Sequence, residues 1–109
     1  MTSIEILSTY QTLSELTDTM LTAARSDEWD RLAVLEQRCK HYVDHLAQAA
    51  PVKMNTNEQS TKIAIIRTIL QNDAKIRALA EPRMHELQQR LSMTRANQRS
   101  IQAYGERPA

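Results

Sequence analysis

The first 104 residues of this chain contain no glycine, and the single one, Gly105, closes the tripeptide Ala103-Tyr104-Gly105. Glycine takes positive φ without steric cost and lets backbone lie directly against a phosphate. Its absence excludes glycine-built hairpins, phosphate-binding loops and dinucleotide turns from almost the whole chain. Helices joined by short polar breaks remain.

The apolar spacing agrees. Ile6, Tyr10, Leu13, Thr17, Met20 and Ala24 recur in steps of three and four, widened by Leu7, Leu16 and Leu21, which predicts a first helix over 3–25. Thr2 and Glu5 stand three apart at its start, the spacing of a capping box. Ser26 and Asp27 open a second helix over about 27–49, with Trp29, Leu32, Leu35, Cys39, Tyr42, Val43 and Leu46 on its inner face. Pro51 marks the break that follows.

A Thr56–Gln59 box opens a third helix over about 57–94, carrying Ile63, Ile66, Ile69, Leu70, Asp73, Ile76, Leu79, Met84, Leu87 and Leu91. Pro82 bends it, and the apolar spacing continues across the proline. A short arginine-rich helix over about 96–104 then ends at Gly105, suited to a left-handed cap. The expected fold is all-α: an antiparallel bundle of three main helices plus a short C-terminal helix. It forms a single domain, with 1–94 as bundle core and 95–109 as a regulatory helix and tail.

Length sharpens this. A hairpin of two 23-residue helices reaches roughly 35 Å, whereas the third helix, if straight, reaches roughly 57 Å. About 20 Å of amphipathic surface around Met84, Leu87 and Leu91 therefore needs another partner. The fourth helix offers only Ala96, Ile101, Ala103 and Tyr104. Burying Ile101 and Tyr104 gains about 3–5 kcal/mol against an ordering cost on the order of 10 kcal/mol. The expectation is a weakly held flap over an interaction surface.

Composition then narrows function. A net charge of +1 supplies no global field for nucleic acid or an anionic membrane, although the charge is uneven. Residues 1–30 hold Glu5, Glu15, Asp18, Asp27, Glu28 and Asp30 against Arg25, while 83–107 hold Arg83, Arg90, Arg95, Arg99 and Arg107 against Glu86 and Glu106. Those arginines lack interleaved aromatic stacking partners, so a solvated face or an acidic protein partner is the favoured reading. The lone Cys39, no apolar run near ~20 residues and no leader pattern point to the cytoplasm, with no membrane insertion.

Chemistry-bearing clusters are sparse. His41 and His45 share a helix face at zinc-ligand spacing, but Cys39 lies about 160° from His41 around the helix. Asp73 is the one acid on an apolar stripe, read as an edge carboxylate meeting solvent or an arginine. No serine or threonine is paired with a positioned base. Neither enzyme activity, a metal site nor a cofactor is expected.

Three stretches carry a resemblance. They are Arg25-Ser26-Asp27-Glu28-Trp29-Asp30-Arg31-Leu32, then Ile69 to Leu79 followed by Met84-His85-Glu86-Leu87, and finally Gln102-Ala103-Tyr104-Gly105. In order and spacing the chain resembles the FliT-type chaperones of flagellar type III export, which serve the filament-cap protein. The resemblance implies a small helical cytoplasmic chaperone. It would bind the C-terminal part of the cap protein, keep it unassembled and hand it to the export ATPase complex. Some relatives also bind the flagellar master transcriptional activator. The family's C-terminal helix covers a hydrophobic cleft, which places Ile101, Tyr104 and Gly105 in a regulatory helix.

The expected partner-binding residues are Ile66, Ile69, Leu70, Asp73, Ile76, Arg77, Leu79, Met84 and Leu87, with Asn72 a polar neighbour. The binding mode is helix-in-groove, an amphipathic client segment replacing the C-terminal helix. A homodimeric helical module and a nucleic-acid-binding regulator are the alternatives.

Overall fold

A computed structural model describes the backbone of residues 1–105 and the side chains of residues 1–99. The helices are α1 (Ser3–Arg25), α2 (Trp29–Gln48) and α3 (Thr56–Gly105), and no strand occurs among the described residues. The chain divides into two compact units, Met1–Ala78 and a second beginning at Leu79.

Within Met1–Ala78, α1 is the central element. Ile6, Leu13, Ser14, Thr17, Met20, Leu21, Ala23 and Ala24 are all buried on it, whereas α2 buries Leu32 and Leu35. A helix buried on two sides must contact two neighbours, and the contacts give their directions. Met20 meets Cys39, with Sγ 3.3 Å from Sδ, and Leu16 lies near Tyr42, so α2 runs antiparallel to α1. Lys62 Nζ sits 5.6 Å from the Tyr10 ring centroid, and Asn72 bonds Thr17. Both numbers rise together, so the first part of α3 runs parallel to α1. This unit is an up-down-up three-helix arrangement. Its core is Met20, Leu21, Ala23, Ala24, Leu32, Leu35 and Ile76, with Leu16, Trp29 and Cys39 packed against it.

The α1–α2 connection is where a chain without glycine must find its positive φ. Asp27 supplies it, at φ 59°. Its N–H donates to the Ala24 carbonyl at 3.3 Å, and the Glu28 N–H donates to Ala23 at 2.9 Å. Those two bonds are a Schellman cap with aspartate in the place glycine usually holds. The Trp29 indole N–H donates to the Asp27 carboxylate and holds it in place. The expectation that Ser26 and Asp27 begin the second helix is thereby corrected: they end the first, and α2 starts at Trp29. Aspartate tolerates the left-handed region better than most residues, which permits the substitution for glycine.

Three other expectations are corrected. The box opening α3 is formed by Asn55 and Glu58, not Thr56 and Gln59. The Glu58 N–H donates to Asn55 Oδ1 at 2.8 Å, and the Asn55 N–H donates to Glu58 Oε1 at 3.1 Å. Asparagine is at least as good an N-cap as threonine, so the earlier register wins. At the start of α1, by contrast, the Thr2 hydroxyl accepts from the Glu5 N–H as expected. On α2, Val43 is exposed, because it lies 100° past Tyr42 and off the buried stripe.

The third difference concerns the C-terminal helix. Residues 96–104 are not a separate element. They continue α3, which contains Pro82 and runs to Gly105. No glycine or proline occurs between Arg83 and Tyr104, so nothing in that stretch stops the helix. Gly105 is the last helical residue, not the left-handed residue after it. Pro82 lacks the N–H that would serve the Ala78 carbonyl, and Ala78 is the last residue of the first unit.

Candidate functional site

In the unit that begins at Leu79, helical backbone presents apolar side chains that the described structure leaves open. Met84 and Leu91 are 56 % exposed and Leu87 42 %, with Leu79 also exposed. Met84, Leu87 and Leu91 fall at i, i+3 and i+7, one stripe of a helix. Polar neighbours flank it. Arg90 pairs with Glu86 at 2.8 Å, and Gln89 lies 3.2 Å from His85 Nε2. Arg95 and Arg99 are exposed, and Arg83 is half-buried. An aliphatic stripe with cations beside it can take an amphipathic helix and favour carboxylates on that helix.

The expected partner-binding residues before Leu79 have other surroundings. Ile76 is 5 % exposed and belongs to the α1–α2 core. Ile66 and Ile69 are half-buried, while Leu70 is exposed. Asp73 is half-buried, and its carboxylate lies 2.9 Å from the exposed Arg77. The edge-carboxylate expectation thus describes Asp73 as it stands.

Asn72 has a role that sequence spacing did not reveal. It is buried, and its amide donates to Thr17 Oγ1 at 3.0 Å and Asp18 Oδ1 at 2.7 Å. The Thr17 hydroxyl in turn donates to the Ser14 carbonyl at 2.7 Å. This network joins α1 to α3 in one register, because a shift of either helix would leave buried polar groups without partners.

The histidine and cysteine cluster stays apart. His41 and His45 are exposed, and Cys39 is half-buried against Met20. Burial, with a smaller contribution from the Glu36 charge, pushes the Cys39 thiol above its usual range. No three His, Cys, Asp or Glu side chains converge as metal ligands among the described residues. No helix among them is long and apolar enough to cross a membrane.

The flap expectation meets a plain obstacle. Because 96–105 prolong α3 without a turn, that stretch cannot fold back over Met84–Leu91 in this conformation. The backbone of Ile101, Tyr104 and Gly105 is helical, and their side chains lie outside the described residues.

An open groove on the first unit also went unnoticed in the sequence. It lies between α1 and α2 and includes Leu16, Val34, Arg38, His41 and Tyr42. Val34 fits neither the core stripe nor a plain polar face, and that misfit was the available signal.

Comparisons with known proteins agree with this architecture. The family model described as flagellar protein FliT matches residues 7–106. The FliT protein of Citrobacter koseri is 30% identical over 102 residues, covering 94% of this chain and 85% of that protein. The Photorhabdus laumondii protein is 25% identical over 108 residues, covering 96% and 85%. Among solved structures, the crystal structure of FliT from Bordetella bronchiseptica superposes with a TM-score of 0.69 at 30% identity, covering 77% of this chain and 96% of that one. A helical chain matched by one family model across nearly all its length, with an agreeing solved structure, belongs to the FliT family of flagellar proteins.

Proposed function

We propose that this protein is a cytoplasmic export chaperone of the bacterial flagellum. It binds the C-terminal region of the filament-cap protein, prevents premature assembly and delivers the client to the export ATPase complex. Membership of the FliT family supports the reading, and the exposed stripe of Met84, Leu87 and Leu91 is the single observation that carries it.

The stripe acts as a docking ridge for an amphipathic client helix. Its side chains are about half exposed, so covering three of them gains roughly 2–5 kcal/mol. That only matches the low end of the association cost, about 4–15 kcal/mol. Apolar burial alone is therefore insufficient, and the arginines on this helix supply the rest by steering and selecting an acidic client segment. The flagellar master transcriptional activator is a second ligand of the same stripe in this reading, so the two compete.

Calorimetry with the C-terminal segment of the cap protein tests the proposal. The full chain binds, and Leu87→Asp weakens binding at least about tenfold. Truncation after Thr94 leaves affinity unchanged, since no folded-back helix competes. Absence of binding by the intact chain overturns the reading. A stable dimer in light scattering, lost on Leu87→Asp, favours the homodimeric module instead. Binding to DNA that falls steeply with salt favours the nucleic-acid regulator.

A further inference from the structure

We propose that the α1–α2 groove of the first unit is a second, independent docking surface, and that its occupant is an amphipathic helix of a protein partner bearing carboxylates along one flank. The groove is lined by Thr12 and Leu16 from α1 and by Val34, Gln37, Arg38, His41 and Tyr42 from α2. It lies wholly within Met1–Ala78 and shares no residue with the stripe of Met84, Leu87 and Leu91.

Its spacing is that of helix-on-helix packing. Thr12 and Leu16 are one turn apart on α1, and Val34, Arg38, His41 and Tyr42 follow at i, i+4, i+7 and i+8 on α2. The floor is apolar, with Leu16 and Tyr42 half-buried at the core's edge. Val34 is 62 % exposed, a branched aliphatic left uncovered among the described residues. The Thr12 hydroxyl donates to the Ser8 carbonyl at 3.1 Å, so its methyl group is the part left for a ligand. His41 stands edge-on to Tyr42, with ring centroids 5.9 Å apart, and extends the aromatic wall.

The two lips differ in charge, and that difference selects the occupant. The two α1 residues that line the groove, Thr12 and Leu16, carry no charge. On the α2 lip, Arg38 makes no ion pair among the described residues, unlike Arg31, Arg77 and Arg90. Arg38 is exposed, and a carboxylate placed beside it makes a charge-assisted hydrogen bond. A docking helix with an apolar ridge and glutamates on one flank satisfies floor and lip together. Reversed in direction, the same helix carries its glutamates to the neutral lip, so the groove also selects orientation.

Two synthetic helical peptides test this on the full-length protein. Both carry a leucine ridge at i, i+3, i+4 and i+7; one flank is glutamate in the first and glutamine in the second. Methyl chemical shifts of Leu16 and Val34 report occupancy. The glutamate peptide binds and moves both signals, and the glutamine peptide binds about tenfold more weakly. Arg38→Glu reduces affinity for the glutamate peptide by a similar factor, and a lysine-flanked peptide restores binding to that variant. Val34 and Arg38 are surface residues, so circular dichroism and urea midpoints of their variants stay at wild-type values. Equal binding of both peptides, no binding of the glutamate peptide, or shifts confined to Leu79–Leu91 overturns the proposal. Concentration-dependent self-association that moves the Leu16 and Val34 methyls in the absence of peptide also overturns it, because the occupant is then a second copy. Leu87→Asp leaves peptide binding here unchanged, which separates failure of this groove from failure of the chaperone stripe.

Discussion

Leu21 and Leu87 are the same residue on the same kind of helix, and the protein treats them oppositely. Leu21 is 6 % exposed in a core built by three helical segments, while Leu87 sits on helical backbone with nearly half its surface open. Around Leu21, polar groups are also drawn inward: Ser14, Thr17 and Asn72 are buried with their hydrogen bonds made. Around Leu87, polar contacts stay on the helix surface, as in the Arg90–Glu86 pair. Apolar periodicity states that a helix has a face to cover. It does not state whether the same chain covers it.

The largest expected difference follows from that contrast. Leu21→Ala should lower unfolding free energy by roughly 3 kcal/mol through lost burial and a cavity, measured by urea denaturation. Leu87→Ala should change it by less than about 0.5 kcal/mol while still weakening client binding. Comparable losses of stability at both sites would break the distinction between core and docking surface.

Next in size is the buried polar link. Asn72→Ala should cost about 1–3 kcal/mol, since it removes the amide that Thr17 and Asp18 accept from. Asn72→Leu keeps the volume and tests specificity: a wild-type midpoint with altered α1–α3 contacts would show that the amide sets register more than stability.

A smaller effect is expected at the first turn. Asp27→Ala loses the carboxylate that holds the Trp29 indole and places a less tolerant residue at positive φ, for about 1 kcal/mol. Asp27→Gly relieves the φ penalty and should recover part of the loss. A glycine variant less stable than the alanine variant would show that the backbone there is not the constraint.

The smallest effect is local and pH-dependent. A hydrogen bond from the Ser3 side chain, then one from the Asn55 backbone, holds the Glu58 carboxyl below its ordinary value of 4.5. A lowered folded value means the contribution is present above the unfolded pKa and is lost as pH falls through the folded one. Amide protection factors at the start of α3 should therefore fall below about pH 4.5, and Glu58→Gln should abolish that pH dependence. Protection factors that fall only at higher pH would contradict the assigned hydrogen bonds.

Much of this was legible in the residues. The glycine-free chain and its three-and-four spacing specify helices, and α1 has the expected bounds because Thr2 and the Arg25–Asp27 turn punctuate it. That Met84, Leu87 and Leu91 lie beyond the reach of a two-helix hairpin is readable from helix lengths alone. The Asp27 cap was not readable, since it depends on an indole reaching back two residues. The expected fourth helix failed because polar, arginine-rich composition is not a helix breaker.

By itself, then, the sequence determined which segments are helical and where apolar faces lie, because those follow from backbone sterics and a 3.6-residue period. Only tertiary structure decided that α1 is the central helix, that Ile76 is core while Leu70 is surface, and that Asn72 is a buried link. It also decided that Val34 opens onto a groove between two helices. Burial is a property of what stands opposite a side chain, and neighbours distant in sequence are assigned by packing.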